Sequence, residues 1–560
     1  MTRAIAFVCV SFLLCIAQIS PLAPCLRAEV DRRPVDLAGF TRPVRVACVG
    51  DDTTWKCFRS PGEEYPAKLQ EMLGNKWKVG NLGIHNGTVI NQTLRAYAKN
   101  DWFPRVPAFE PDVVVILLGG NDARKDNWVH KADFVKDYTA LVEKLRALPS
   151  KPRVFICRTL PVFTRDPQNQ TDVDAQREQL PLLDKLAVDL GTGLIDTYTP
   201  FLGEETAKAD AQGATRLFIG DGSNVTAEGA KILATEVYAA LVGKPAPDIA
   251  SLTRVCPLFL DNAVLPRDVT LPVWGTAPPG QSVTVEFAGQ KVAAVTDKDG
   301  RWEAKLDPLK ASNKPAVLTI TGNGEPIVVP GVLVGDVFLL AADENTAPPY
   351  PSRAAMPRRL QAKAGGTTPI PGDISKRDSE PVRIRSFNVK REFMDKPARA
   401  VMGEWNVTGQ SEPVLAYLFA NELLQTTGVP VGLILTGESG GGAGRWISKE
   451  SISKPGNDRL GDDIMAQVYV GSNLYNARIA ALPPFPIKGV IWSHGSQSGL
   501  DTKIYEQQLL VLMEDWRVKW NRPDLPFLVL QIPPAFPSPT SPTSSRMSAT
   551  PELRTAQAVR

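Results

Sequence analysis

The sequence predicts an α/β protein in which two parallel-sheet domains are separated by an antiparallel β-sandwich. Three observations lead there. From about 41 to 245, short strands apolar on both faces alternate with helical stretches, the pattern of a parallel sheet covered by helices on both sides. From Leu258 to about Val334 the periodicity changes to two, with turn sequences between the runs. Beyond about residue 385 the alternation of strand and helix returns. At 560 residues the chain has room for three or four cores of about 150 residues each.

Taken in order, Arg3 and the apolar run Ala4 to Ala17, followed by Leu26-Arg27-Ala28, read as a secretory signal over residues 1–28, so a secreted or periplasmic protein is expected. That run is too short to span a bilayer, and no other stretch approaches the roughly 18 apolar residues a span requires. In the domain at 41–245, Val44 to Val49, Asp112 to Leu118, Arg153 to Cys157 and Leu194 to Asp196 are expected strands. Pro66 to Leu73, Phe134 to Leu148, Leu180 to Leu190 and Ala227 to Leu241 are expected helices. The sandwich, 254–334, contains the turns Pro278-Pro279-Gly280 and Asp297-Lys298-Asp299-Gly300. Thr346 to about Arg385 is a Pro- and charge-rich insertion within the third domain, 335–531. There Val414 to Leu424 and Tyr505 to Trp520 are expected helices, and Val431 to Leu435, Ile487 to Trp492 and Phe527 to Gln531 strands. Residues 532–560 form a Pro/Ser-rich tail.

Composition narrows the function. With 63 Lys plus Arg against 60 Asp plus Glu, nothing marks a nucleic-acid partner. Cys48, Cys57, Cys157 and Cys256 remain once the signal is removed; they form one bridge, Cys48 to Cys57, or serve as small buried hydrophobes. Only three histidines exist, His85, His130 and His494, so any imidazole-dependent chemistry must use one of them.

Four segments follow strand ends along one sheet edge: Gly50-Asp51-Asp52-Thr53-Thr54, Asn81-Leu82-Gly83-Ile84-His85-Asn86-Gly87, Gly119-Gly120-Asn121-Asp122 and Asp221-Gly222-Ser223-Asn224. In order and character the set resembles the four blocks of the SGNH (GDSL) hydrolase family. In that family a serine is the nucleophile, a glycine amide and an asparagine amide hold the oxyanion, and an Asp-x-x-His supplies the base. The resemblance implies oxyanion donors at Gly83 and Asn121 and an orienting carboxylate at Asp221. Asp52 stands at the nucleophile position and Asn224 at the base position. An amide cannot take and return a proton near neutral pH, so general-base activation is lost there. His85 and the Thr53 hydroxyl are the nearby substitutes, although a lone loop histidine more often has a structural hydrogen bond.

From about 250 to 531 the chain is similar to the sialate O-acetylesterase family, on VLPRDVTLPVWGTAPPG, on Val332-Leu333-Val334-Gly335-Asp336-Val337, on GVPVGLILTGESGGGAGRW and on DWRVKW. Its Ser-Gly-Gln-Ser-Asn-Met turn corresponds to Ala341-Ala342-Asp343-Glu344-Asn345-Thr346, which places Glu344 at the second nucleophile position. The family's closing Asp-x-x-His would fall beyond Gln557, so a C-terminally shortened domain is expected. Gly437-Glu438-Ser439-Gly440-Gly441 also satisfies the G-x-S-x-G nucleophile elbow, with His494 downstream as a base; the competing reading is a glycine-rich turn.

No dinucleotide or phosphate loop and no zinc spacing occurs, so no cofactor and no metal is expected. Asp51, Asp52, Asp122 and Asp221 could attract calcium, but backbone-capping carboxylates are the simpler reading. The resemblances together imply two SGNH-hydrolase-like (flavodoxin-like) domains around the sandwich and a carbohydrate or O-acetylated glycan as partner. The expected function is that of a carbohydrate acetyl-ester hydrolase by family that has become a glycan-binding or structural pseudoenzyme. The alternative is an active esterase with a relocated nucleophile at Ser439 or Thr53.

Overall fold

A computed structural model describes residues 29–55, 63–161, 173–202, 215–219, 224–342, 383–389, 396–398, 400–407, 414–437, 442–457, 460, 472–493 and 502–530. The expected signal and tail lie outside the described residues, as does the expected insertion through residue 382; residues 384 and 385 at its end already belong to a strand.

The first sheet contains β1 (Val44–Gly50), β2 (Trp77–Gly83), β3 (Val113–Leu117), β4 (Arg153–Cys157) and β5 (Gly193–Ile195), all parallel, in the order β2-β1-β3-β4-β5. This is the flavodoxin-like order, whose switch point lies between β1 and β3. Helices α1 (Asp52–Trp55), α2 (Tyr65–Leu73), α3 (Arg105–Phe109), α4 (Lys125–Trp128), α5 (Phe134–Arg146), α6 (Val173–Leu190) and α7 (Ala227–Val242) complete the layer. The pleat sends Val46 and Cys48 into a core with Leu69 of α2 and Leu233 of α7. It sends Ala47 and Val49 to the opposite core, with Phe134 and Leu141 of α5 and Leu183 of α6. Cys48, Cys157 and Cys256 are buried free thiols, in agreement with the small-hydrophobe alternative; burial pushes the Cys48 thiol up to about 12.

The short helices α1, α3 and α4 are additional to the sequence expectation, and two larger elements differ from it. Strand β2 was not anticipated, because it is an edge strand whose middle is only partly buried and so shows no apolar run. Helix α6 begins at Val173, not Leu180, and contains Pro181; its added first turns bury Gln176 and Gln179 as well as Ala175, which hides the helical stripe.

In the sandwich, β6 (Arg254–Val255), β8 (Leu271–Thr276) and β11 (Arg301–Leu306) form one antiparallel sheet. The other contains β9 (Ser282–Phe287), β10 (Gln290–Val295) and β12 (Ser312–Thr321), with β7 (Val264–Pro266) beside β13 (Ile327–Ala342). β13 is continuous through the expected boundary at 334/335. Its first part pairs antiparallel with β12; from Asp336 onward it pairs parallel with β16 (Val431–Leu435), and from Phe338 with β17 (Gly489–Ser493). Strands β14 (Ile384–Val389) and β15 (Gly403–Asn406) extend one side, and β18 (Phe527–Val529) the other, giving the spatial order β15-β14-β16-β13-β17-β18. Helices α8 (Val414–Thr427), α9 (Lys449–Ile452) and α10 (Thr502–Lys519) belong to this part. One apolar cluster joins Leu271, Val285 and Trp302 of the sandwich with Trp446, Trp492 and Trp516.

Where β13 passes between the two surroundings, a Cβ at Gly335 would lie 2.0 Å from the Pro430 carbonyl oxygen. The buried Asp336 carboxylate accepts from Arg267 Nε at 2.7 Å and pairs with Lys488 Nζ at 2.9 Å. Among the described residues no helix is long and apolar enough to cross a membrane.

Candidate functional site

The turn after β1 is built on glycine. A Cβ at Gly50 would lie 1.9 Å from Thr54 Oγ1 and 2.8 Å from the Leu117 carbonyl, so only glycine lets α1 start against the end of β3. Asp51 is buried at the mouth of the switch point, where its Oδ1 accepts the Thr53 N–H at 3.1 Å. Burial, reinforced by the charge of Asp52, pushes Asp51 up to about 8, so it is held neutral at pH 7. Asp122, on the loop after β3, accepts the N–H groups of Val89 at 3.0 Å and Ile90 at 2.8 Å and is raised by burial to about 6. It thereby fixes the loop after β2 beneath the end of β3.

Asp52 is the centre of the site. Its Oδ2 accepts the Asn86 N–H at 2.8 Å and Asn121 Nδ2 at 3.1 Å, and its Oδ1 meets His85 Nδ1. The second Asn121 amide hydrogen goes to the Gly87 carbonyl at 3.3 Å, and Asn127 Nδ2 donates to the Asn121 carbonyl at 2.8 Å. The His85 ring packs on Trp55 with centroids 5.3 Å apart and planes at 46°. The loops after β2 and β3 thus converge on one carboxylate of the turn after β1.

The structure brings together Asp52 and Asn121, as the block spacing implies. It does not bring Gly83 with them as a donor. The Gly83 N–H donates to Asn81 Oδ1 at 3.1 Å, and a Cβ there would lie 2.4 Å from the Trp55 nitrogen, so this glycine serves the close approach of α1 to β2. The backbone donor at Asp52 is Asn86, a residue outside the assigned block positions. Its φ of 55° is left-handed, a conformation asparagine adopts more readily than most residues, and the Asn-Gly dipeptide was the available signal. Thr53 is buried and His130 exposed. Asn224 is partly buried and its carbonyl accepts the Ile219 N–H at 2.9 Å. Asp221, Glu344, Ser439 and His494 lie outside the described residues; the described parts of β13, β16 and β17 that precede the last three end at Ala342, Leu435 and Ser493. Among the described residues no group of three or more His, Cys, Asp and Glu side chains is placed to hold a metal ion.

A 2-1-3-4-5 parallel sheet with its convergent loops at the β1/β3 switch point is a flavodoxin-like arrangement that fits an SGNH-like domain. Residues 48–218 match the GDSL-like lipase/acylhydrolase family, and residues 365–558 match the family described as carbohydrate esterase, sialic acid-specific acetylesterase. The chain is thus similar to GDSL-like hydrolases over its first part and to sialic acid-specific acetylesterases over its last. An acetylxylan esterase from Xylanibacter ruminicola is 28% identical over 217 residues, 35% of this chain and 43% of that protein. The sialate O-acetylesterase of Homo sapiens is 27% identical over 270 residues, 45% of this chain and 50% of that protein. The chain spans about half the length of these curated relatives. Among solved structures, a carbohydrate acetylesterase from Xanthomonas citri is 28% identical with a TM-score of 0.43, over 55% of this chain and 65% of that one. A putative arylesterase from Agrobacterium tumefaciens is 22% identical with a TM-score of 0.29, over 35% and 97%.

Proposed function

We propose that this protein is an exported, glycan-binding relative of the carbohydrate acetylesterases in which the N-terminal site no longer performs serine-esterase chemistry. The observation that supports this is the state of Asp52. A carboxylate stands where the family has a serine hydroxyl, and its Oδ2 already takes the Asn86 and Asn121 donors at 2.8 and 3.1 Å. Donors of this kind accelerate acyl transfer only when they meet the oxyanion that forms in the transition state. Asn224 at the base position adds a second loss, and loss of either nucleophile or base in a serine hydrolase costs on the order of 10⁶-fold in turnover. The retained sheet, loops and family likeness support recognition of an O-acetylated glycan, and the Arg3 to Ala28 segment supports export.

The test combines a glycan array with labelling by a serine-directed fluorophosphonate and an assay on O-acetylated sialic acid. Retained O-acetylated sugar, no label and no release of acetate are expected. Label at Ser439 or Thr53, with turnover that the reagent abolishes, would overturn the reading in favour of a relocated nucleophile.

A further inference from the structure

We infer that Asp52 and His85 form an orienting carboxylate and general base that activate water against acyl esters with acidic leaving groups, aryl esters above all. This goes beyond the proposal above, which concerns serine chemistry and glycan recognition. Asp52 is held at Oδ2 by Asn86 N–H and Asn121 Nδ2, so its Oδ1 has a fixed direction. That oxygen meets His85 Nδ1. A carboxylate only accepts, which assigns the proton of the neutral ring to Nδ1 and leaves the lone pair on Nε2. Asn86 Nδ2, exposed and 3.2 Å from Nε2, occupies that lone pair at rest, and the attacking water takes its place. A basic imidazole nitrogen opposite a fixed carboxylate is the orienter-and-base half of a hydrolytic triad.

Exposure fits the role. The Asp52 side chain is 11% exposed and the His85 side chain 52%, so the carboxylate is sheltered while the ring opens to water. Trp55, itself 38% exposed, lies against the ring and provides an apolar wall for an aromatic leaving group.

The reaction needs only water as co-reactant. Water oxygen bonds to the acyl carbon as its proton passes to His85 Nε2; the bond from acyl carbon to aryl oxygen then breaks, and the aryl oxide leaves with the electron pair. The imidazolium returns the proton to that oxide or to solvent, giving a carboxylic acid and a phenol. The same geometry sets the substrate class. Asn86 N–H and Asn121 Nδ2 hold Asp52 and do not face the substrate oxyanion, so a contribution of about 10²–10³ per donor is absent. Leaving groups that depart readily tolerate this, whereas the alkoxide of a sugar acetate does not.

The experiment uses the full chain with p-nitrophenyl acetate and, in parallel, O-acetylated sialic acid. Expected are turnover of the aryl ester above a protein-free control, slower in D₂O and unaffected by fluorophosphonate, with none of the sugar ester. His85→Gln should lower that turnover at least about tenfold, within the span of general-base contributions. His130→Gln should leave it unchanged, and Asp52→Asn should lower kcat without raising KM. Diethyl pyrocarbonate, which acylates imidazole, should abolish turnover in a protein carrying both His130→Gln and His494→Gln, a reading that does not require the His85 variant to fold. Turnover retained in folded His85→Gln, abolished by fluorophosphonate, or absent from the wild type would overturn the inference. Glycan retention on the array is read separately and belongs to the preceding proposal.

Discussion

Two neighbouring carboxylates on one short turn have opposite surroundings. Asp52 faces donors from two loops, whereas Asp51 is buried against Gly120, where a Cβ would lie 3.2 Å from its Oδ2. In the unfolded chain Asp51 ionises in the ordinary carboxylate range near 4; in the fold it keeps its proton up to about 8. Folding therefore takes up a proton between those values. Its stabilising contribution is complete below about pH 4 and is lost as pH rises through about 8, and Asp122 acts in the same direction up to about 6. Asp51→Asn keeps an Oδ1 acceptor for the Thr53 N–H and cannot ionise. Thermal midpoints measured from pH 4 to 8 should fall less steeply in this variant than in the wild type, and near pH 8 the variant should be the more stable. Equal slopes would mean that Asp51 ionises normally. Asn121→Ala removes one charge-assisted bond to Asp52 and should cost about 2 kcal/mol in denaturant titration.

At the scale of elements, legibility followed burial. β1 and β3 are almost wholly buried, so their valine-rich runs announce strands, whereas the edge position of β2 leaves its polar middle without a pattern. The place of Asp52 at the sheet edge was legible because a short turn between β1 and α1 ties it to a fixed place after Gly50. The oxyanion-block donor was not, because which amide turns toward Asp52 depends on the left-handed φ of Asn86. Gly83 leaves space for α1, and its N–H donates to Asn81 Oδ1. Gly83→Ala should accordingly disturb α1 packing and cost about 1–3 kcal/mol in urea unfolding, as overpacking does. At the other central strand, Asp336→Ala removes the partner of Arg267 and Lys488. Because both cations are partly exposed and can be rehydrated, the expected loss is about 2 kcal/mol.

For the whole molecule, the sandwich and the C-terminal sheet are one folding unit. β13 belongs to both, and a single apolar cluster runs from Val285 and Trp302 to Trp492 and Trp516. A fragment of residues 254–334 leaves that cluster open and should show no cooperative thermal transition by circular dichroism. A fragment of residues 29–253 contains both cores of the first sheet and should unfold cooperatively. Persistence of a folded 254–334 fragment would restore the boundary that periodicity suggested. What the sequence by itself determined was the succession of α/β, β and α/β patterns and the residue types in the loop segments, Asp52 and Asn224 among them, since both depend on neighbours close along the chain. Only the tertiary structure decided what meets Asp52: His85, Asn86 and Asn121 stand 33, 34 and 69 residues away. Their meeting depends on three parallel strands ending side by side, and strand order is a property of packing that no local pattern encodes.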